Sequence, residues 1–325
     1  MRVAGALLRI GTRGSTLALW QTEWVRSFLA SAGHRTERVQ IKTTGDLAPD
    51  TPLARIGSRA LFTKQIDDAL LNHRIDLAVH SLKDLPTDLP PGILIGAVAK
   101  RDDPSDAFVG KRSARMSGLS QGAVIGTSSL RRRAQLLHFR PDLRVIDLRG
   151  NVDTRLAKLD SHPDWDGIIL AAAGLARLRL EHRITERLAP EVMLPPPGQG
   201  ALAITVRADD GAVEAAVREV LHHPATALQV TAERAFLHTL EGGCQVPIAA
   251  LAEPAGDQQD SMRLQGRVVS PDGRKLVQGS RVAVVLRAED AVALGAALAR
   301  QLLDEGAGAI LTESRAIPSP AVTEP

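Results

Sequence analysis

At 325 residues the chain is too long for one ordinary domain and suits two or three. Its 44% hydrophobic content excludes global disorder, and 40 basic against 37 acidic residues leave a charge of +3, too even for a general nucleic-acid binder. Aromatic residues make up 2% with no Tyr, so base-stacking platforms are scarce, and a single Cys excludes an internal disulfide, as fits a reducing cytoplasm.

The opening run, Met1 to Arg9, is too short in apolar residues for a signal peptide, and no stretch approaches membrane-spanning length. A soluble, cytoplasmic protein is therefore expected. Leu7 to Ile10 reads as a strand, Gly11-Thr12-Arg13-Gly14 as a turn, and Ser15 or Thr16 as a helix cap. In the following helix Leu17, Trp20, Trp24 and Phe28 recur at helical spacing and are expected to form the core stripe. A second helix carries Phe62, Ile66, Ala69 and Leu70, with Lys64 and Asp67 off its stripe. The strand Asp76 to His80 then leads into Ser81-Leu82-Lys83-Asp84-Leu85-Pro86. Strands alternating with helices predict a mainly parallel sheet.

Arg101-Asp102-Asp103-Pro104-Ser105 is a polar break. Beyond it the pattern resumes, with strands near Val124-Ile125, Val145 to Leu148 and Ile168 to Ala171 and helices at 130–138 and 152–159. Pro195-Pro196-Pro197, flanked by Gly198 and Gly200, is a stiff link, after which Ala201 to Val206 reads as a strand returning to the first domain. From about residue 222 a helix over Ala225–Leu240 ends at Gly242-Gly243. Three strands follow, two of them flanking the turn Pro271-Asp272-Gly273, then a helix from about Ala288 to Leu303. The expected domains are 1–100 with 200–219, 105–196, and 222–312, with 313–325 as a flexible tail. Two crossings between α/β lobes suggest a hinged cleft. No internal sequence repeat is evident.

The chemistry-bearing residues follow predicted strands. Gly126-Thr127-Ser128-Ser129-Leu130-Arg131-Arg132-Arg133 puts Ser129 at a helix cap with three Arg beside free backbone N–H groups. That arrangement suits a carboxylate or phosphate, although a run of Arg is also an ordinary solvated basic face. Arg13, Lys83, Arg131, Arg149 and Arg177 all lie beyond strand ends, where ligands of open α/β sheets collect, so one anion-lined cleft is favoured over scattered patches. Arg155 lies off the Val152/Leu156/Leu159 stripe and is free to point elsewhere. Lys83-Asp84 reads either as an exposed ion pair or as a carboxylate at the cleft mouth, able to stabilise positive charge. Cys244, in Glu241-Gly242-Gly243-Cys244-Gln245-Val246-Pro247, is either an inert small residue or, given two glycines and a loop position, an accessible thiol. The nine His show no zinc-ligand spacing and Gly11-Thr12-Arg13-Gly14 is too weak for a dinucleotide fingerprint, so no metal or nucleotide is expected.

Together these segments resemble the porphobilinogen deaminases, from near residue 7 to about 312. The matching pieces include IGTRGSTLALWQ, DTPLARIG, DLAVHSLKDLP, DDPSDAF, GTSSLRRRAQL, LRGNVDTRL, LPPPGQGALAI and LEGGCQVPIAA. The resemblance implies an α/β fold with two hinged periplasmic-binding-protein-like domains and a small α+β domain carrying the cofactor cysteine. It implies a dipyrromethane attached through Cys244, Asp84 as the catalytic carboxylate, and Lys83, Ser129, Arg131, Arg132 and Arg155 as cofactor-binding residues. Arg13, Ser15, Arg149, Arg155, Arg177, Phe62 and Gln199 would serve the substrate or the hinge. The chain departs from the family at Gly57-Ser58-Arg59-Ala60, which keeps a positive charge and loses a glycine, and at Arg133, a third cation beside the usual pair.

The implied reaction is deamination and head-to-tail condensation of four porphobilinogen molecules on the primer, then hydrolytic release of hydroxymethylbilane to a separate uroporphyrinogen III synthase. A monomer without nucleic-acid or membrane partners is expected. Each pyrrole unit brings two carboxylates, and clustered Arg would offset their repulsion. A solute-binding protein would share the hinged cleft, and a nucleic-acid binder the Arg clusters. The Cys244 loop argues against the first, and the even charge and scarce aromatics against the second.

Overall fold

The computed structural model describes residues 7–43, 63–240, 246–256 and 260–316. The chain opens with β1 (Leu7–Thr12), α1 (Thr16–Ser31) and β2 (Arg35–Gln40), followed by α2 (Lys64–Leu71), β3 (Leu77–Ser81) and β4 (Ile93–Val98). It crosses through residues 99–105 into β5 (Asp106–Gly110), β6 (Val124–Gly126), α3 (Leu130–Phe139), β7 (Arg144–Ile146), α4 (Val152–Ser161), β8 (Gly167–Ala171), α5 (Ala172–Arg177) and β9 (Glu186–Arg187). It returns as β10 (Leu202–Arg207) and α6 (Gly211–Leu221). A third unit follows: α7 (Pro224–Thr239), β11 (Ile248–Pro254), β12 (Ser261–Val269), β13 (Leu276–Val284), α8 (Ala288–Asp304) and α9 (Ala307–Ala316).

The first sheet runs β2-β1-β3-β10-β4 and the second β7-β6-β8-β5-β9, so the same strand order appears twice without a repeat in sequence. In each sheet the first three strands are parallel and the last two pairings antiparallel. Four of the five strands in each sheet therefore run the same way, as a mainly parallel sheet requires, and one strand, β10 in the first and β5 in the second, runs against them. β10 and β5 each arrive across an inter-unit crossing, so no helical crossover holds them parallel to their neighbours. β10 is buried along its whole length, as a central strand covered on both faces must be. The third unit packs α7 and α8 on the antiparallel sheet β11-β12-β13, around Phe236, Leu264, Leu298 and Leu302. The architecture is thus α/β with two sheet-containing units and a small sheet-and-helix unit at the C-terminal end.

Two expectations about packing fail. In α1 the buried side is Gln21, Thr22, Val25 and Leu29, while Phe28 is 44% exposed and lies against Trp24 in a tilted pair, with ring centroids 4.5 Å apart. The helix is apolar around a wide arc; Thr22 and Val25 are small enough to fit under the sheet, and the bulkier rings are left on its margin. Asp67, expected to lie off the apolar stripe, is 5% exposed on α2, and burial pushes its carboxyl up to about 6, with Asp68 adding to the rise and the nearby Thr63 hydroxyl opposing it.

Both crossings are tied to the third unit by one carboxylate. Glu233 of α7, fully buried, pairs with Arg101 of the first crossing (Nη1 to Oε1 2.6 Å, Nη2 to Oε2 3.2 Å). It also accepts from the N–H of Gly198 in the second crossing (2.7 Å) and from Ala252 of β11 (2.8 Å). Gly198 and Gly200 adopt φ of +77° and +88°. A Cβ at Gly198 would fall 2.1 Å from Leu82 Cδ2, and one at Gly200 2.6 Å from the Asp102 carbonyl oxygen, so the crossings pack this tightly only with glycine.

Candidate active site

The parallel strands deliver the predicted residues to their carboxyl ends. β3 leads into the 3-10 turn Leu82–Asp84, where Leu82 N donates to the Ala201 carbonyl at 3.0 Å, anchoring the turn to the second crossing. Lys83 turns inward: its Nζ donates to Gln199 Oε1 at 3.1 Å. It lies deep among protein atoms while keeping some solvent contact, and that desolvation pushes its pKa down to about 8, partly offset by Asp84 and Asp106. Asp84 is exposed.

In the second unit Ser129 caps α3, its Oγ accepting from Arg132 N at 3.4 Å. The guanidiniums of Arg131 and Arg132 are buried, 5% and 6% exposed, and both meet Asp106. Arg132 Nε and Nη2 donate to Asp106 Oδ1 at 3.0 and 2.6 Å, and its Nη1 to the Ile169 carbonyl at 3.0 Å. Arg131 Nη1 donates to the Leu194 carbonyl at 2.7 Å. Arg133 points the other way, donating to the Val145 carbonyl at 3.2 Å, so it does not join the pair. Arg155 donates to the Gly150 carbonyl at 2.7 Å. Desolvation lowers its pKa to about 10, with Arg132 and Arg149 pushing the same way and Asp84 opposing.

Lys83, Asp84, Arg131, Arg132, Arg149 and Arg155 therefore share one charged neighbourhood, with Asp84 and Asp106 as its anions. Gln199, 1% exposed, sits beside it on the second crossing, its Nε2 donating to the Pro104 carbonyl (2.8 Å) and to Asp106 Oδ1 (3.1 Å). Arg13, at the end of β1, is close enough to help burial hold His80 neutral, with a pKa near 4. His80 Nε2 lies 3.1 Å from Thr205 Oγ1.

Other predicted residues have different partners. Ser15 serves as the α1 cap, accepting from Ala18 N at 3.3 Å. Arg177 is buried against the two crossings, its Nε donating to Asp102 Oδ2 (2.9 Å) and its Nη2 to the Gly200 carbonyl (2.7 Å). Cys244, Phe62 and the segment Gly57-Ser58-Arg59-Ala60 lie outside the described residues. Sequence reasoning assigned no role to Asp106, Asp102 or Glu233. The available signal for the first was an acidic residue opening a strand just past a predicted crossing.

A group bearing several carboxylates fits this neighbourhood. Among the described residues five cations and two carboxylates meet there, and the guanidiniums of Arg131 and Arg132 are held at a helix N-terminus, where backbone N–H groups also favour anions. Among the described residues no cluster of three or more His, Cys, Asp or Glu could hold a metal, and no helix is long and apolar enough to cross a membrane.

Two family models cover most of the chain: "Porphobilinogen deaminase, dipyromethane cofactor binding domain" matches residues 8–215, and "Porphobilinogen deaminase, C-terminal domain" residues 227–304. A porphobilinogen deaminase of Syntrophotalea carbinolica is 48% identical over 323 residues, covering 98% of this chain and 100% of the relative. One from Geotalea uraniireducens is 47% identical over 308 residues, covering 94% of each. Among solved structures, an ABC transporter periplasmic substrate-binding protein from Coxiella burnetii overlays 68% of this chain and 94% of its own at 15% identity and TM-score 0.42.

Proposed function

The chain belongs to the porphobilinogen deaminase family, and from that premise we propose which of its side chains carry the reaction. It is a transferase with hydroxymethylbilane synthase activity in tetrapyrrole biosynthesis, acting on porphobilinogen and using a dipyrromethane cofactor. Cys244 is the attachment point: it is the one thiol in the chain, and family membership requires a cofactor cysteine. When bound, the dipyrromethane supplies the terminal pyrrole on which the product is built.

Arg131, Arg132, Lys83 and the Ser129 cap hold cofactor carboxylates. The observation that carries this reading is that, among the described residues, both guanidiniums are buried beside a single carboxylate, Asp106, which leaves a net positive charge in a poorly solvated place. Arg149 and Arg155 receive the carboxylates of substrate and growing chain, with Arg13 and Ser15 at the β1 end of the cleft and Phe62 near it. Asp84 is the catalytic carboxylate: exposed at the mouth beside Lys83 and Arg155, it can face a cationic pyrrole and accept its proton. Arg177 and Gln199 act on the hinge, where both are bonded to the crossings. The first two units, 1–100 with 200–219 and 105–196, close on the substrate, and the third, 222–312, presents the cofactor. The enzyme works as a monomer in the cytoplasm and hands hydroxymethylbilane to a uroporphyrinogen III synthase.

The test is the intact mass of the protein beside ammonia release from porphobilinogen. Wild-type chain should carry an adduct of two pyrrole units, and Cys244→Ser should carry none and be inactive. Unmodified wild-type protein with full activity would end the assignment of Cys244.

A further inference from the structure

Asp106 opens β5 immediately after the first crossing, and its side chain is fully buried. Burial pulls its pKa upward, but the neighbouring charges of Arg131 and Arg132 outweigh that pull and hold it near 2, so it is an anion at every working pH. Its Oδ1 accepts from Arg132 Nε, Arg132 Nη2 and Gln199 Nε2, at 3.0, 2.6 and 3.1 Å. Its Oδ2 lies 2.8 Å from Arg131 Nη2, though not aligned for a good hydrogen bond. Gln199 in turn accepts from Lys83, so a single carboxylate organises two cations of the second unit and, one step further, a cation of the first.

Two adjacent guanidiniums repel each other, and burying them without a counter-charge is costly. A carboxylate between them cancels one charge and fixes both planes, leaving the other charge for an incoming anion. We propose that Asp106 is a positioning residue, the resident counter-anion that keeps Arg131 and Arg132 as a pre-formed pair and, through Gln199, sets Lys83 beside them, so that the carboxylate-binding face exists before the cofactor is attached. This rests on the reading of Arg131 and Arg132 as cofactor-carboxylate partners.

The experiment uses full-length chain produced without porphobilinogen, so that it is cofactor-free, and then exposed to porphobilinogen. Two quantities are read: the rate at which the two-pyrrole adduct appears by intact mass, and the Tm before and after loading. Asp106→Asn should fold with a lowered apo Tm and load about tenfold or more slowly, the scale of one lost charge-assisted hydrogen bond. Its gain in Tm on loading should exceed that of wild type, because the arriving carboxylates replace the missing counter-charge. A residue that merely held the fold would lower both Tm values equally and leave the loading rate of folded protein unchanged, and that result overturns the proposal. If Asp106→Asn is insoluble, Asp106→Glu keeps the charge but displaces it by a methylene. It should fold and still load slowly, and loading at the wild-type rate overturns the proposal. Arg132→Gln separates the two readings. Normal loading by Arg132→Gln refutes the role of the Arg pair itself, whereas slow loading there with normal loading by both Asp106 variants refutes only the role of Asp106.

Discussion

The ammonium of Lys83 lies 3.1 Å from Oε1 of Gln199, so the cation at the end of β3 is bonded to the second crossing between the α/β units rather than to its neighbour Asp84. The simple surface ion pair, which two adjacent opposite charges suggest, is therefore not what forms. Lys83 is committed to the second crossing, and Asp84 stays exposed with Lys83 and Arg155 as nearby charges.

That separation sharpens the test of Asp84. Asp84→Asn keeps the shape and removes the charge proposed to face the cationic pyrrole, and such stabilisation is worth several kcal/mol once bound substrate has displaced water, so turnover should fall by orders of magnitude. An exposed turn carboxylate contributes little to the cores, so the Tm should stay near that of wild type. Ammonia release measured beside intact mass should show a protein that is loaded but slow. Near-normal release from loaded, folded Asp84→Asn would remove Asp84 from the chemistry.

The two Arg sets should fail differently. Arg131→Leu and Arg132→Leu should leave most of the chain without adduct, since each deletes a buried cation that we propose holds the cofactor carboxylates. Arg149→Leu and Arg155→Leu should load cofactor and then stall, with partly elongated covalent species accumulating in the mass spectrum. The same distribution of species in all four variants would contradict the division of labour.

Glu233 offers a stability prediction away from the cleft. It accepts from Arg101, Gly198 and Ala252 in full burial, and breaking a buried pair by removing one charge typically costs about 3–5 kcal/mol. Glu233→Gln should lower the denaturation midpoint accordingly. Limited proteolysis should show earlier cleavage near the crossings at residues 99–105 and 195–201, which lose their common tie.

Asp67 predicts a stabilising substitution with a defined pH window. Its folded pKa is raised, so the native state holds an extra proton between the ordinary value near 3.8 and about 6. The penalty for charging it is absent below that window, grows as pH rises through it, and is complete above about 6. Asp67→Asn should therefore gain on the order of 2 kcal/mol at pH 7 and almost nothing near pH 4. Urea titrations at the two pH values give the comparison, and an equal gain at both would place the effect elsewhere.

Much of this protein was determined locally, and the sequence alone could supply it. Ser129 before the Arg run, Pro271-Asp272-Gly273 between two strands, and the Pro195–Gly200 link each act through a cap, a turn or a fixed φ that depends on immediate neighbours. The order of motifs carried the family, and the placement of Lys83, Arg131 and Arg149 beyond strand ends follows from alternating strands and helices. The tertiary structure decided what those side chains touch. The partners of Lys83, Arg131 and Arg177 are Gln199, Asp106 and Asp102, lying 116, 25 and 75 positions away in the chain. No periodicity encodes such pairings; they exist because two crossings bring the sheet ends together. The same holds for α1 and α2, where the sequence marked a wide apolar arc, but the space beneath the sheet selected Val25 and Leu29 over the Trp24–Phe28 rings and drew Asp67 inside. Local propensity fixes which elements form, whereas burial and charge pairing are properties of the assembled interior, where every polar group must find a partner that the chain itself places far off.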